Sequence, residues 1–168
     1  MSLLNKEEII RLVARVQEAD NCIACLAEAN ILKSRGKGIV DIVLEEMFRL
    51  KEAGAFAQRD TFSVFCLIVA IEPYVEPRHE KQLGEILLWD EVALVTDGSM
   101  RFHLFNMLRI IGSAEAIPYL EQLRVQVKGV VHNRHDDPKL ASPGDMRKYN
   151  QEEIRRTIDA IQARVNRI

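Results

Sequence analysis

The sequence predicts an all-α protein, and three observations carry that prediction. Apolar residues recur three and four positions apart along most of the chain, the spacing of one helix face. Turn formers are scarce, with 8 glycines and 5 prolines among 168 residues, below the roughly 12% of average usage. No strand pattern competes, because Val130-Val131 and Ala93-Leu94-Val95 are too short to build a sheet. The 48% hydrophobic content can form a core, and the length suits one domain, taken as residues 1–168.

Each helix has its own signals. Asn5 with Glu8 three residues on reads as a capping box, opening a helix to about Glu18 with Ile9, Leu12, Val13 and Val16 on one face. Asp20 can cap a second helix to about Ser34, before Gly36-Lys37-Gly38. A third spans Ile39 to Ala53, with Gly54 where a C-terminal glycine belongs. Asp60 or Thr61 opens a fourth, which ends at Pro73. Glu76 to Trp89 is a fifth, with Pro77 in its first turn. Asp90 to Val95 is one more short turn. Ser99 caps a sixth, closed by Gly112, and Ser113 caps a seventh to about Lys128. A long loop at about 129–149 follows. Asn150 with Glu153 forms another capping box and starts the last helix, to Asn166.

The sequence also repeats itself at a spacing of 40 residues. Cys22, Phe62 and Phe102 fall in register, as do Cys25, Phe65 and Phe105; Ile31, Ile71 and Ile111; and Val43, Leu83 and Leu123. Each unit then holds two helices with one apolar stripe apiece. Neither can bury its stripe alone, so units stack. A fourth unit starts after 54 residues, where Arg155, Ile158 and Ile161 repeat the spacing of Arg101, Leu104 and Met107.

The run Arg101-Phe-His-Leu-Phe-Asn-Met-Leu-Arg-Ile-Ile-Gly112, followed by Glu115-Ala-Ile-Pro118 and Leu120, resembles a HEAT-type repeat junction. Residues 154–161 resemble the next second helix. The likeness covers about a quarter of the chain. In the first 90 residues Asn21 and Thr61 stand where the repeat has Arg, and Glu72-Pro73 replaces the Gly turn. The resemblance implies an α-α superhelix of three to four helical hairpins that binds other macromolecules along a groove. It names no partner, because such a repeat is a scaffold.

At 100° per residue, His103, Asn106 and Arg109 face away from the apolar arc of their helix. The 40-residue register makes Ile23, Leu26 and Ala29 their equivalents, then Ser63, Cys66 and Val69, and in the last helix Thr157, Ala160 and Ala163. In a HEAT-like arrangement this stripe lines the concave face. Either another part of the chain covers it, or a partner protein or a second copy does, since large apolar patches rarely stay exposed. Helix Phe62–Ile71 is apolar all round and must be covered on every side.

The remaining chemistry is sparse. Cys22-Ile23-Ala24-Cys25 has C-x-x-C spacing, but a redox motif wants a strand before it and a helix starting at the first Cys. A zinc site wants a second ligand pair. The surroundings read as helical throughout, so Cys22, Cys25 and Cys66 are expected as buried helical thiols. His132, Arg134 and His135 lie in the long loop and are candidate partner contacts. His132 and His135 with Asp136 could hold a metal only if that segment turned helically. Glu7-Glu8 and Glu45-Glu46 read as solvated faces. No nucleophile–base arrangement, phosphate loop or cofactor motif occurs, so neither catalytic residues nor cofactors are expected.

A net charge of −2 disfavours a nucleic-acid partner, although ten Lys+Arg face six Asp+Glu from Arg124 onward. The first residues lack a basic region followed by an apolar run, and Phe62–Ile71 falls short of the roughly 20 residues of a membrane span. A cytoplasmic protein without membrane contact is expected. The leading function is a non-enzymatic protein-interaction module: an adaptor, an inhibitor or immunity-type partner, or a regulatory subunit. The alternative is an enzyme-associated HEAT-like protein, chromophore-lyase-like or repair-like, acting through His103, Arg109 and the basic C-terminal region.

Overall fold

The computed structural model describes residues 5–56, 62–93, 99–129 and 143–166. Among the described residues all regular structure is helical, and no helix is long and apolar enough to cross a membrane. The helices fall into two compact units, Met1–Val75 and Glu76–Ile168.

The first unit contains α1 (Lys6–Glu18), α2 (Cys22–Lys33), α3 (Val40–Glu52) and α4 (Phe62–Ile71). The Asn5 side chain caps α1 by accepting from the Glu7 backbone N–H at 3.0 Å. Glu8 does not complete the expected box; its carboxylate pairs with Arg35 at 2.6 Å. Ile9, Leu12, Val13 and Val16 are buried, the face the spacing marks out. Asn21, not Asp20, caps α2, taking the Ala24 N–H at 2.9 Å. Gly54 closes α3 at φ +69°, a left-handed conformation in which an L side chain is strained. The Ala55 and Gly54 N–H groups then donate to the carbonyls of Leu50 and Lys51, at 2.9 and 3.0 Å, the paired bonds of a Schellman end.

The apolar helix α4 packs against α1, α2 and α3. Val64, Cys66, Leu67, Ile68, Ala70 and Ile71 are buried, and each Leu or Ile so placed contributes about 1.5–3 kcal/mol. Chain within the same unit therefore covers this helix, as its composition demands.

The second unit contains α5 (Glu80–Leu87), α6 (Asp90–Ala93), α7 (Ser99–Ile111), α8 (Ile117–Gly129) and α9 (Pro143–Val165). Helix α5 packs on α7 and α8, and α9 packs on both α7 and α8. Glu76 and His79 cap the turn ahead of α5 reciprocally, with the Glu76 N–H donating to His79 Nδ1 at 2.8 Å. Ser113 caps as expected, accepting from the Glu115 N–H at 3.1 Å. Both its N–H and its hydroxyl donate to the Glu80 carboxylate, which ties α5 to this turn.

Two glycines of this unit are set by space. A Cβ on Gly84 would lie 2.6–2.7 Å from Tyr119 Cδ2 and Cγ, so the tyrosine ring of α8 lies directly against α5. A Cβ on Gly112 would meet the Leu108 carbonyl at 2.6 Å and Ile161 of α9 at 3.1 Å.

Two further expectations need correction. The last helix begins at Pro143, seven residues before Asn150, so only residues 130–142 of the expected loop lie outside the described elements. Proline is at home in a first helical turn. Glu46 is not solvated: it is buried, with Arg49 donating to its carboxylate at 2.8 and 2.5 Å.

Candidate functional site

In the first unit, α2 has two unlike sides. Cys25, Ala29 and Leu32 are buried, while Ile23 is 83% and Leu26 38% exposed. Ile23 and Leu26 are one turn apart and form a small apolar face on the water side. Arg15 of α1 binds Glu28 at 2.6 Å, fixing the α1–α2 pair. Ser63 is half-buried and accepts from Gln17 Nε2 at 3.3 Å. Val69 is half-buried and Cys66 wholly buried, so the expected outward stripe does not run along α4 as an open surface.

A cleft of about 530 Å³ opens where α1 turns into α2. It is lined by residues 16–22, Cys25, Phe62 and Ser63. The break at Ala19–Asn21 makes Cys22 the first residue of α2. The expectation of three buried thiols is therefore wrong for Cys22, which is exposed, and right for Cys25 and Cys66. The signal available was Asn21, a stronger cap than its position before a C-x-x-C suggested.

In the second unit, Arg109 of α7 is held on several sides. It donates through Nη2 to the Glu153 carboxylate, through Nε to Thr157 Oγ1 at 3.1 Å, and through Nη1 to Asn106 Oδ1 at 3.3 Å. Arg156 donates to the other Glu153 oxygen at 2.8 Å, and Thr157 donates to the Glu153 carbonyl at 2.7 Å. Arg164 of α9 donates to the carbonyls of Arg109, Ile110 and Gly112, which are otherwise orphaned at the end of α7. These contacts clamp α7 to α9. His103 is half-buried, with its ring edge-on to Phe102 at 5.8 Å. The structure brings Asn106 and Arg109 together, and both are engaged within the protein. His132, Arg134 and His135 lie outside the described residues.

Glu153 has opposing influences on its carboxyl. Burial pushes the pKa up, but hydrogen bonds and charge from Arg109 and Arg156 outweigh it and hold the group below the ordinary 4.5. Glu46 is likewise held low, mainly by its hydrogen bonds from Arg49. A depressed folded-state pKa stabilises the fold at pH values above the unfolded pKa, and that stability is lost as pH falls through the folded one. Stability should therefore be flat near pH 7 and fall below about pH 4.5. Urea unfolding followed between pH 7 and 2.5 checks this. Glu153→Gln should be less stable at pH 7 and show a shallower acid loss than the parent.

Burial also lowers the pKa of the Arg101 guanidinium, whose Nε has no hydrogen-bond partner among the described residues. Among the described residues no group of three or more His, Cys, Asp or Glu side chains could hold a metal ion. Comparison with known proteins finds no matching family model, no matching curated protein and no matching solved structure.

Proposed function

We propose that the chain is a non-catalytic protein-interaction module of HEAT-like helical hairpins, and that it docks a partner helix on the open side of α2. The observation that carries the reading is the exposure of Ile23 and Leu26 one turn apart, on a helix whose opposite side is sealed. Apolar side chains at i and i+3 form a ridge that fits between the ridges of a second helix. The partner is an amphipathic helix of another protein, with a second copy of the chain as the other candidate.

The hairpin reading draws support from a recurring local feature. Helices α3, α5 and α8 each follow a three-residue 3-10 turn, at Lys37–Ile39, Pro77–His79 and Ala114–Ala116. Val43, Leu83 and Leu123, in register at 40 residues, are all buried. The enzyme-associated reading loses its proposed charge, because Arg109 is spent on Glu153, Asn106 and Thr157.

The test uses the Ile23→Glu, Leu26→Glu double variant, whose thermal midpoint should stay close to the parent's because neither side chain is core. Affinity capture from lysate of the source, together with sedimentation of the purified chain, reads the outcome. A stoichiometric protein or self-association present for the parent and absent for the variant supports the surface. A bound species unaffected by the double substitution, or none at all, contradicts it.

A further inference from the structure

We propose that Cys22 and Cys25 form a redox-active dithiol that exchanges with neutral or cationic disulfides entering the α1–α2 cleft. The inference uses a different set of atoms from the docking surface.

Three observations carry it. Cys22 and Cys25 both line the cleft of about 530 Å³, and nothing else in that lining is a thiol. Their exposures differ in the way an exchange reaction needs, with Cys22 open to solvent and Cys25 only 4% exposed. An incoming disulfide can reach the first sulfur and is kept from the second. Cys22 is the first residue of α2 and Cys25 lies one turn further along the same helix. Positions i and i+3 on an α-helix have Cα atoms about 5 Å apart from the rise and radius, inside the range of about 4.4–6.8 Å that a disulfide spans. The Cys25 thiol donates to the Val16 carbonyl at 3.5 Å, which holds it at the cleft floor. Cys66 is wholly buried and is not part of the lining.

The reaction balances without an outside oxidant other than the disulfide itself. The Cys22 thiolate attacks one sulfur of a disulfide R–S–S–R, forming a mixed disulfide and expelling one thiolate, which takes up the proton Cys22 released. Cys25 then loses its proton, attacks the Cys22 sulfur and expels the second thiol. The dithiol loses two electrons and two protons, and two R–SH leave. The reverse sequence reduces the protein.

The substrate class follows from the rim. Glu18 and Asp20 line the same cleft and both are exposed. They repel an anionic disulfide such as oxidised glutathione and attract a dication such as cystamine.

The experiment treats the reduced, folded chain with cystamine or with oxidised glutathione, quenches with acid, and reads intact mass and peptide maps. The parent should lose two hydrogens and show Cys22 linked to Cys25. Cystamine should react about tenfold faster than oxidised glutathione at low ionic strength, with the gap closing in salt. Cys22→Ser should not react while folded, and Cys25→Ala should stop at the mixed disulfide on Cys22. Cys22→Ser alters an exposed position, so it keeps the test valid if Cys25→Ala fails to fold. A mixed disulfide that persists on the parent overturns the proposal, as does a Cys22–Cys25 linkage that forms only in denaturant. Equal rates for the two disulfides at low salt overturn the assigned substrate class.

Discussion

Replacing Arg109 with alanine should lower stability by about 3 kcal/mol, the range seen when one partner of a buried ion pair is removed. The cost has three parts. The Glu153 carboxylate, 6% exposed, keeps only the Arg156 bond, and that arginine is itself 64% exposed. Asn106 Oδ1 and Thr157 Oγ1 each lose a donor. The α7–α9 contact loses its polar clamp at that level of the unit. Arg109→Lys retains the charge but not the fork that reaches three acceptors, so it should recover only part of the loss. Urea unfolding at pH 7 gives the magnitudes. Adding Glu153→Gln to Arg109→Ala should cost less than the sum of the singles, with a coupling of about 2 kcal/mol. Additive losses, or an Arg109→Ala protein as stable as the parent, would return Arg109 to the surface and reopen a chemical role for it.

Gly84→Ala should destabilise the chain although alanine is the better helix former by up to about 1 kcal/mol. The new methyl would sit 2.6–2.7 Å from the Tyr119 ring, and 3.2 Å from Tyr119 Cβ. Relief cannot come from the end of the side chain alone, because the crowded atoms lie near its root. Overpacking of this kind costs about 1–3 kcal/mol, so the net change is a loss. Tyr119→Ala costs stability on its own, yet in its presence Gly84→Ala should become neutral or stabilising. Thermal unfolding of the four proteins reads that reversal of sign. If Gly84→Ala raises the midpoint in the parent, the α5–α8 contact is looser than the geometry requires.

Much of the helical layout was legible because it follows from local rules. Ile9, Leu12, Val13 and Val16 sit at helical spacing, Gly54 stands at a helix end, and Phe62–Ile71 has no polar side to show to water. The starts of α2 and α9 were harder. At α2 both Asp20 and Asn21 can cap, and one residue of difference decides whether Cys22 opens the helix or lies second in it. At α9 the Asn150–Glu153 pair imitates a helix start, and nothing local says that the helix already runs through it. Glu153 instead turns to Arg109 and Arg156. Its partner Arg109 is 44 positions away, and no local rule pairs two side chains across that distance. Glu46 differs in that its partner Arg49 is only three residues on, while its neighbour Glu45 is solvated and pairs with Lys6 of α1 at 2.8 Å. A one-residue step around a helix separates the two environments.

Both proposals depend on α2 being one-sided, with its first residue and outer face in water and its inner face sealed. Brief alkylation of the reduced, folded chain with iodoacetamide, followed by peptide mapping, tests that directly. The account predicts modification of Cys22 alone, with Cys25 and Cys66 labelled only after unfolding. Labelling of Cys25 or Cys66 at the rate of Cys22 in the folded protein, or protection of all three, would contradict it.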